Sequence, residues 1–493
     1  MPSRREVLAM SARAGAALTL LPLACTLPER ERATWVNDIH SRLNRTRVNR
    51  VVRPASTEEV QETVKLARQE KLAISVAAAR HAMGGQQFGT DTLLIDATGL
   101  TRVHDFNPET GEIEVGAGTD WPSLFDTLAR LQDNQDARWG IRQKQTGADR
   151  LSLGGAIASN IHGRGLVLKP FVNDVAAFTL VNADGESVRC SREENADLFR
   201  AAIGGYGMFG VVTAVRLRLA RRRKLERVVE VIQTDGLMKR FQSRIDQGFL
   251  YGDWQYATDP ETDVLMRGVF SCYRPVDDEA PVPPEQEKLD EREWLGLILL
   301  GHKDRATAFE RYAAHYMTTT GQRYWSDDQQ RSLYIEDYHA KLRESLGDQA
   351  EGSEMITEIY VPRPILESFL GTVRGDANQH DMNIVYGTVR LIEQDDETVL
   401  AWARQPWACV IFNLHVDHDE AGLRKAQDDF RRLIDRAIEH QGSYYLTYHR
   451  WATRDQVIAC HPRMPEFLAL KKTHDPDEVF QSDWYRHYRD MFA

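Results

Sequence analysis

Val76-Ala-Ala-Ala-Arg-His-Ala-Met-Gly-Gly-Gln86 is a loop of small residues around one histidine, set between an apolar run at 72–76 and another at 92–96. Alanine and glycine keep side chains away from the main chain, so the N–H groups of such a loop can close on a pyrophosphate as an anion-binding nest. His81 stands in its middle. By itself the loop leaves three roles open for that residue: a hydrogen-bonding turn residue, a general base, or a nucleophile that captures a cofactor covalently.

The surrounding pattern is compact α/β. After Pro54, Ser56 and Glu59 read as a capping box, and Val60, Val64 and Ala67 recur at helical spacing before the strand at 72–76. Strands at 103–106 and 112–115 flank the turn Asn107-Pro-Glu-Thr-Gly111, and a helix begins near Pro122. A second small-residue segment, Leu151-Ser-Leu-Gly-Gly-Ala-Ile-Ala-Ser-Asn-Ile-His-Gly-Arg-Gly165, again permits close backbone approach to a ligand. Strands at 175–181 and 186–190 join through Asn182-Ala-Asp-Gly185, and a helix at 193–202 leads into Gly204-Gly-Tyr-Gly-Met-Phe-Gly210 and a strand at 211–219. Gly205, Gly207 and Gly210 spell the glycine pattern of a nicotinamide-dinucleotide site. Here a helix precedes the glycines and a strand follows, the reverse of the fingerprint's order, so that reading is rejected.

A chain of 493 residues exceeds the size of a single core, so more than one packed unit is expected. The net charge of -11, with no basic stripe, argues against a nucleic-acid partner. Five scattered cysteines form neither a disulfide framework nor a metal spacing, and the run His415-Val-Asp-His-Asp419 reads as a solvated strand end rather than a metal site. Residues 1–30, with Arg4-Arg5 before a short Ala/Gly/Leu stretch ending near Cys25, resemble a twin-arginine export signal. That reading predicts cleavage, a periplasmic protein and no stable membrane insertion.

Beyond Arg222 the composition changes, and 273–294 reads as a Pro- and Glu-rich surface excursion. Four strands then each offer a polar face backed by an apolar one. Glu358 and Tyr360 share a face on 355–361, Tyr386, Thr388 and Arg390 on 384–392, Asn413 and His415 on 410–416, and Tyr445, Thr447 and His449 on 443–450. Tyrosine, histidine, asparagine and a single arginine suit a ligand pocket better than a solvated sheet face.

Taken in order, the His81 loop, Val115-Gly-Ala-Gly118, the 152–165 segment and the junction at 204–213 resemble the FAD-binding domain of the vanillyl-alcohol oxidase / p-cresol methylhydroxylase (PCMH-type) superfamily. The C-terminal His461-Pro-Arg-Met-Pro and Asp475-Pro-Asp-Glu-Val-Phe480 are similar to the end of its aldonolactone and alditol oxidase branch. The resemblance implies an α+β protein: a two-subdomain flavin domain over 46–222, a cap domain over 223–440 with an antiparallel sheet above the flavin, and a segment at 441–493 returning to the flavin domain. It implies FAD, held through Arg80, His81, Ala82, Met83, Gly84, Gly85, Gln86, Gly116, Gly118, Gly147, Gly154, Gly155, Ser159, His162, Gly163, Gly210 and Val212, and joined covalently through His81.

The implied reaction oxidises a CH–OH group of a small-molecule substrate by hydride transfer to flavin N5, with oxygen, a quinone or another protein reoxidising the flavin. Arg390 matches the branch's charge-stabilising arginine, Ser152 lies at the flavin, and His449 is the expected base, with His415 and Glu358 in reserve. Thr388 stands where the sugar-alcohol branch has a carboxylate, and Trp254, Tyr256, Tyr324 and Trp325 suit a bulkier substrate. The rival readings are a dehydrogenase or reductase of sterol or lipid-linked substrates, and an exported flavin-binding protein without catalysis.

Overall fold

Helix Thr57–Glu70 shows how local sequence sets an element. The Ser56 hydroxyl accepts the Glu59 N–H, Val60, Val64 and Ala67 form the buried stripe, and Lys71 closes the helix in the left-handed region at φ 57°. Glu59 turns its carboxylate to the Ala55 N–H at 2.8 Å instead of Ser56, so the cap is single rather than reciprocal. In this computed structural model the described residues are 34–133, 138–333, 335, 338–346 and 351–493. The export signal read over 1–30, including Cys25, lies outside them.

The helix stripe packs with Ile74, Leu93, Ile95 and Phe480 in one apolar cluster. The strands beneath form a three-stranded parallel sheet in the order Arg50–Val52, Leu93–Asp96, Ile74–Ala77. The chain's end joins this sheet: the Ile74 N–H donates to Val479 O at 2.7 Å, and the Gln481 N–H to Ile74 O at 2.8 Å. Beside it lies a five-stranded antiparallel sheet in the order Ser187–Ser191, Val175–Val181, Val211–Arg218, Glu112–Gly116, Val103–Asn107. Both expected hairpins are present. Helix Ala196–Ala202 precedes the Gly204–Gly210 cluster and strand Val211–Arg218 follows it, the order on which the nicotinamide reading was rejected.

The third sheet has eight antiparallel strands: Arg323–Trp325, Lys224–Gln233, Arg267–Pro275, Tyr251–Tyr256, Ile384–Ile392, Trp407–Asp417, Gly352–Pro362 and Ser443–Tyr444. Together the parallel sheet, the two antiparallel sheets and the intervening helices make an α+β fold. The last strand departs from expectation. Only Ser443 and Tyr444 pair with their neighbour, and 445–450 leave the sheet in turns, so the face alternation predicted for that stretch does not hold. Cys190, Cys272, Cys409 and Cys460 are free and buried. Among the described residues no helix is long and apolar enough to cross a membrane.

Candidate active site

A cavity of 1590 Å³ is lined on one side by the loops after the parallel sheet and on the other by the eight-stranded sheet. Pockets for drug-sized ligands run to roughly 300–1,000 Å³, so this one takes a dinucleotide-sized group with room left for a second molecule.

On the loop side Arg80, His81, Ala82, Met83 and Gln86 line the cavity, with Arg80 in the left-handed region at φ 60°. The Gln86 amide donates to Thr447 O at 2.7 Å and so ties the loop to the chain's return segment. Burial, reinforced by nearby His40, lowers the His81 pKa to about 4, and the imidazole is hydrogen-bonded to the Arg150 backbone. Gly147, Gly154, Gly155, Ser159, Gly210 and Val212 also line the cavity.

Five predicted glycines stand off the cavity. A Cβ on Gly116 would fall 2.2 Å from Leu100 O, and one on Gly118 2.1 Å from Ala97 O, so both let the backbone pass a neighbouring turn while Ala117 between them reaches the lining. Gly84 faces the Gln86 side chain, Gly85 faces Asn44 and Arg450, and Gly163 faces the Lys144 backbone. These close approaches fix the loops. Ser152 lines the cavity, but its hydroxyl caps helix Leu153–Ser159 by accepting the Gly155 N–H at 3.2 Å.

The sheet side brings together groups from separate strands. Glu358 lies buried between His162, whose Nε2 is 2.8 Å from Oε2, Tyr360, whose hydroxyl donates at 2.9 Å, and Tyr448, whose hydroxyl donates to Oε1 at 2.7 Å. His162 Nδ1 lies 3.0 Å from Gly163 O. Each ring nitrogen of His162 thus faces an acceptor, one of them the Glu358 carboxylate. Burial pushes the Glu358 carboxyl upward, yet the charge of His162 and the hydrogen bonds from His162 and Tyr448 outweigh it and bring its pKa to about 2. Arg390 lines the same cavity and is 6% exposed. Its Nε has no hydrogen-bond partner, and among the described residues no carboxylate pairs with its guanidinium.

His449 is not in this site. It is 2% exposed and packs with Phe430, Tyr444 and Trp451, its ring stacked 12° from the plane of Tyr444. Its Nδ1 accepts the Trp451 N–H, and burial pushes its pKa down to about 3. Because the chain leaves the sheet after Tyr444, Tyr445, Thr447 and Tyr448 reach the cavity and His449 turns away. Tyr448 was not predicted for that reason. Nor was the fully buried Lys144, whose ammonium pairs with Asp149 at 2.7 Å at the cavity edge, since nothing in the sequence around it distinguishes that lysine.

The 415–419 run lies at a strand end with Asp417 and Asp419 exposed as expected, but His415 departs from it. His415 turns inward, its Nδ1 3.2 Å from the buried Glu354, while Asp419 caps helix Glu420–Glu439.

Comparison with known proteins agrees with this architecture. Residues 48–191 match a family described as FAD binding domain. The chain is 23% identical over 442 residues to an L-gulono-1,4-lactone dehydrogenase of Mycobacterium tuberculosis, covering 88% of this chain and 95% of that protein. It is 31% identical over 166 residues to L-gulonolactone oxidase of Mus musculus, covering 34% of this chain and 36% of that protein. Cytokinin dehydrogenase 4 of Oryza sativa is 28% identical over 199 residues, covering 38% of this chain and 36% of that protein.

Proposed function

Starting from an FAD-dependent oxidoreductase of the PCMH type, near the aldonolactone oxidase branch, we propose that this chain oxidises a CH–OH group of a small cyclic substrate, with a sugar lactone as the first class to test. The residues present fit FAD. A Cβ at Gly147 or Gly207 would stand in open space on the cavity wall, so the backbone there is free for close approach, and Ala77, Ala78, Ala79 and Ala82 keep the facing loop low. When bound, FAD supplies the two-electron acceptor.

The observation that carries the reading is Arg390, a buried guanidinium with no carboxylate of its own among the described residues, beside an ionised Glu358 in one cavity. A fixed cation of this kind is placed to stabilise negative charge that develops during reaction, without reorganising. Glu358, in place of His449, takes the substrate hydroxyl. A carboxylate of pKa about 2 is too weak a base to form an alkoxide in advance. As the C–H bond breaks, however, the hydroxyl proton becomes strongly acidic, and a weak base then suffices. His162 and Tyr448 hold the carboxylate in position.

His81 is assigned the covalent bond to the flavin. Its lowered pKa supports this, because a neutral imidazole keeps the lone pair that bond formation requires. Tyr312, Tyr316, Tyr324 and Tyr386 line the outer cavity and favour a substrate with an apolar or ring-shaped body.

Anaerobic mixing with a panel of aldonolactones and cyclic alcohols tests the reading, with flavin bleaching as the signal. Bleaching by a CH–OH donor, lost in Arg390→Met, is expected; equal rates with and without Arg390 would overturn it. Admitting air afterwards sorts oxidase from dehydrogenase. Yellow colour that stays with acid-precipitated protein, and leaves it in His81→Ala, tests the covalent bond. The resemblance of 1–30 to a twin-arginine export signal supports periplasmic action, which fractionation after changing Arg4 and Arg5 to lysine would check.

A further inference from the structure

Glu354 gathers three imidazoles from three different elements. His302 Nε2, at the end of helix Glu291–Lys303, is 3.1 Å from Oε1. His415 Nδ1, directly opposite Glu354 in the antiparallel register, is 3.2 Å from the same oxygen. His339 Nδ1, on helix Tyr338–Leu346, is 3.1 Å from Oε2, which also accepts the Tyr338 hydroxyl at 2.7 Å. The side chains of Glu354, His302 and His339 are 3%, 7% and 4% exposed.

We propose that His302 Nε2, His415 Nδ1 and Glu354 Oε1 form a binding site for a first-row divalent metal ion of the zinc type, with a water completing the four ligands. Four observations converge on it. The three donor atoms lie within 4.8 Å of one another. Ligand atoms about 2.0–2.1 Å from a tetrahedral zinc stand roughly 3.3 Å apart, so the observed 3.1 and 3.2 Å match the edges of such a polyhedron.

The buried His302 Nε2 makes no well-formed hydrogen bond to the carboxylate despite its short distance. A lone pair aimed at a cation accounts for that approach better than an N–H aimed at oxygen. The outer nitrogen of His415, Nε2, lies 3.4 Å from Asp417 Oδ1, and the outer nitrogen of His339 lies 2.9 Å from His40 O. An acceptor at the far nitrogen of a ligating histidine is the usual means of fixing its tautomer, and here the Asp417 carboxylate serves His415 in that way.

Gly352 makes room for this arrangement, since a Cβ there would fall 2.7 Å from His415 Cε1. The sequence run at 415–419 supplies only one of the ligands; the others come from 113 residues upstream at His302 and from the facing strand. The ion would tie helix Glu291–Lys303, whose Trp294, Leu297 and Ile298 border the cavity, to the sheet that carries Glu358.

The test is metal analysis of the FAD-loaded protein after dialysis against Zn²⁺ and then metal-free buffer. About one equivalent of retained zinc is expected, falling to none in His302→Ala/His415→Ala with flavin content unchanged. Replacement by Co²⁺ in the unmutated protein gives a second readout that needs no variant: intense visible d–d absorption of a tetrahedral centre. Absence of both retained zinc and the cobalt spectrum, or zinc retained equally by the double variant, would overturn the proposal.

Discussion

Glu354 and Glu358 sit on the same strand, Gly352–Pro362, on the same face, and both border the cavity, yet their surroundings give them different chemistry. Glu358 is met by one histidine and two tyrosine hydroxyls, with the unpaired Arg390 in the same cavity. Glu354 is met by three histidines and one tyrosine. Burial opposes ionisation at both, and at both the donors win: Glu358 falls to about 2, and Glu354 is held well below the usual carboxylate range. Strand alternation alone puts the two carboxylates in equivalent positions. What separates the proposed proton acceptor from the proposed metal ligand is the set of side chains that other elements bring to each.

Breaking that comparison should have its largest effect at Glu358. Glu358→Gln is expected to slow anaerobic flavin reduction by roughly 10²–10⁴-fold with FAD retained, whereas Glu354→Gln slows it by less than about tenfold. Stopped-flow traces with a substrate found in the panel decide this, and equal losses would erase the distinction. Arg390→Met should follow, with a loss of roughly 10²–10³-fold in the reduction step, because it removes a fixed charge and leaves binding groups in place. A purely raised KM with unchanged limiting rate would instead make Arg390 a substrate anchor.

Gly352→Ala sharpens the comparison from the other side. The added methyl displaces the His415 ring, so a loss of about 1–3 kcal/mol in denaturant unfolding is expected, with the rate of flavin reduction nearly unchanged.

A further comparison concerns acid stability, away from both carboxylates at neutral pH. His449 is held near 3 in the fold against 6.5 when free, so between those values the unfolded chain binds a proton that the folded chain refuses. Stability therefore falls as pH drops below 6.5, by about 1.4 kcal/mol per pH unit for one such group. Buried His461, also lowered to about 3, acts in the same direction. Glu358 adds a second loss: its folded pKa is depressed, so its contribution is full above 4.5 and vanishes as pH falls through about 2. His449→Phe should flatten the melting-temperature slope between pH 6.5 and 3 while leaving flavin reduction intact. A large loss of reduction rate would restore His449 to the reaction.

Much of the loop side of the cavity was legible because its signals are local. Small residues beside short apolar strands, turn residues at 107–111 and 182–185, and the order of helix, glycines and strand at 196–218 depend on neighbours within a few residues. The strand faces of 384–392 were equally readable, and Tyr386 and Arg390 do reach the cavity. At 443–450 the period-2 alternation breaks, because the chain keeps its strand-like composition but leaves the sheet after Tyr444. One departure from pairing was enough to turn His449 into the aromatic cluster and deliver Tyr448 to Glu358.

The sequence by itself therefore determined the α+β architecture, the backbone-lined loop wall of the cavity with His81 in it, and the presence of a single arginine among the polar faces of the eight-stranded sheet. Those rest on propensity, glycine and alanine sterics, and strand alternation, all short-range in the chain. Only the tertiary structure decided which carboxylate faces which histidine: Glu358 meets His162 across 196 residues, and Glu354 meets His302 from a helix and His415 from the adjoining strand. Hydrogen bonds and charges act through a few ångströms of space, and sequence separation does not reveal which side chains folding will bring within that distance.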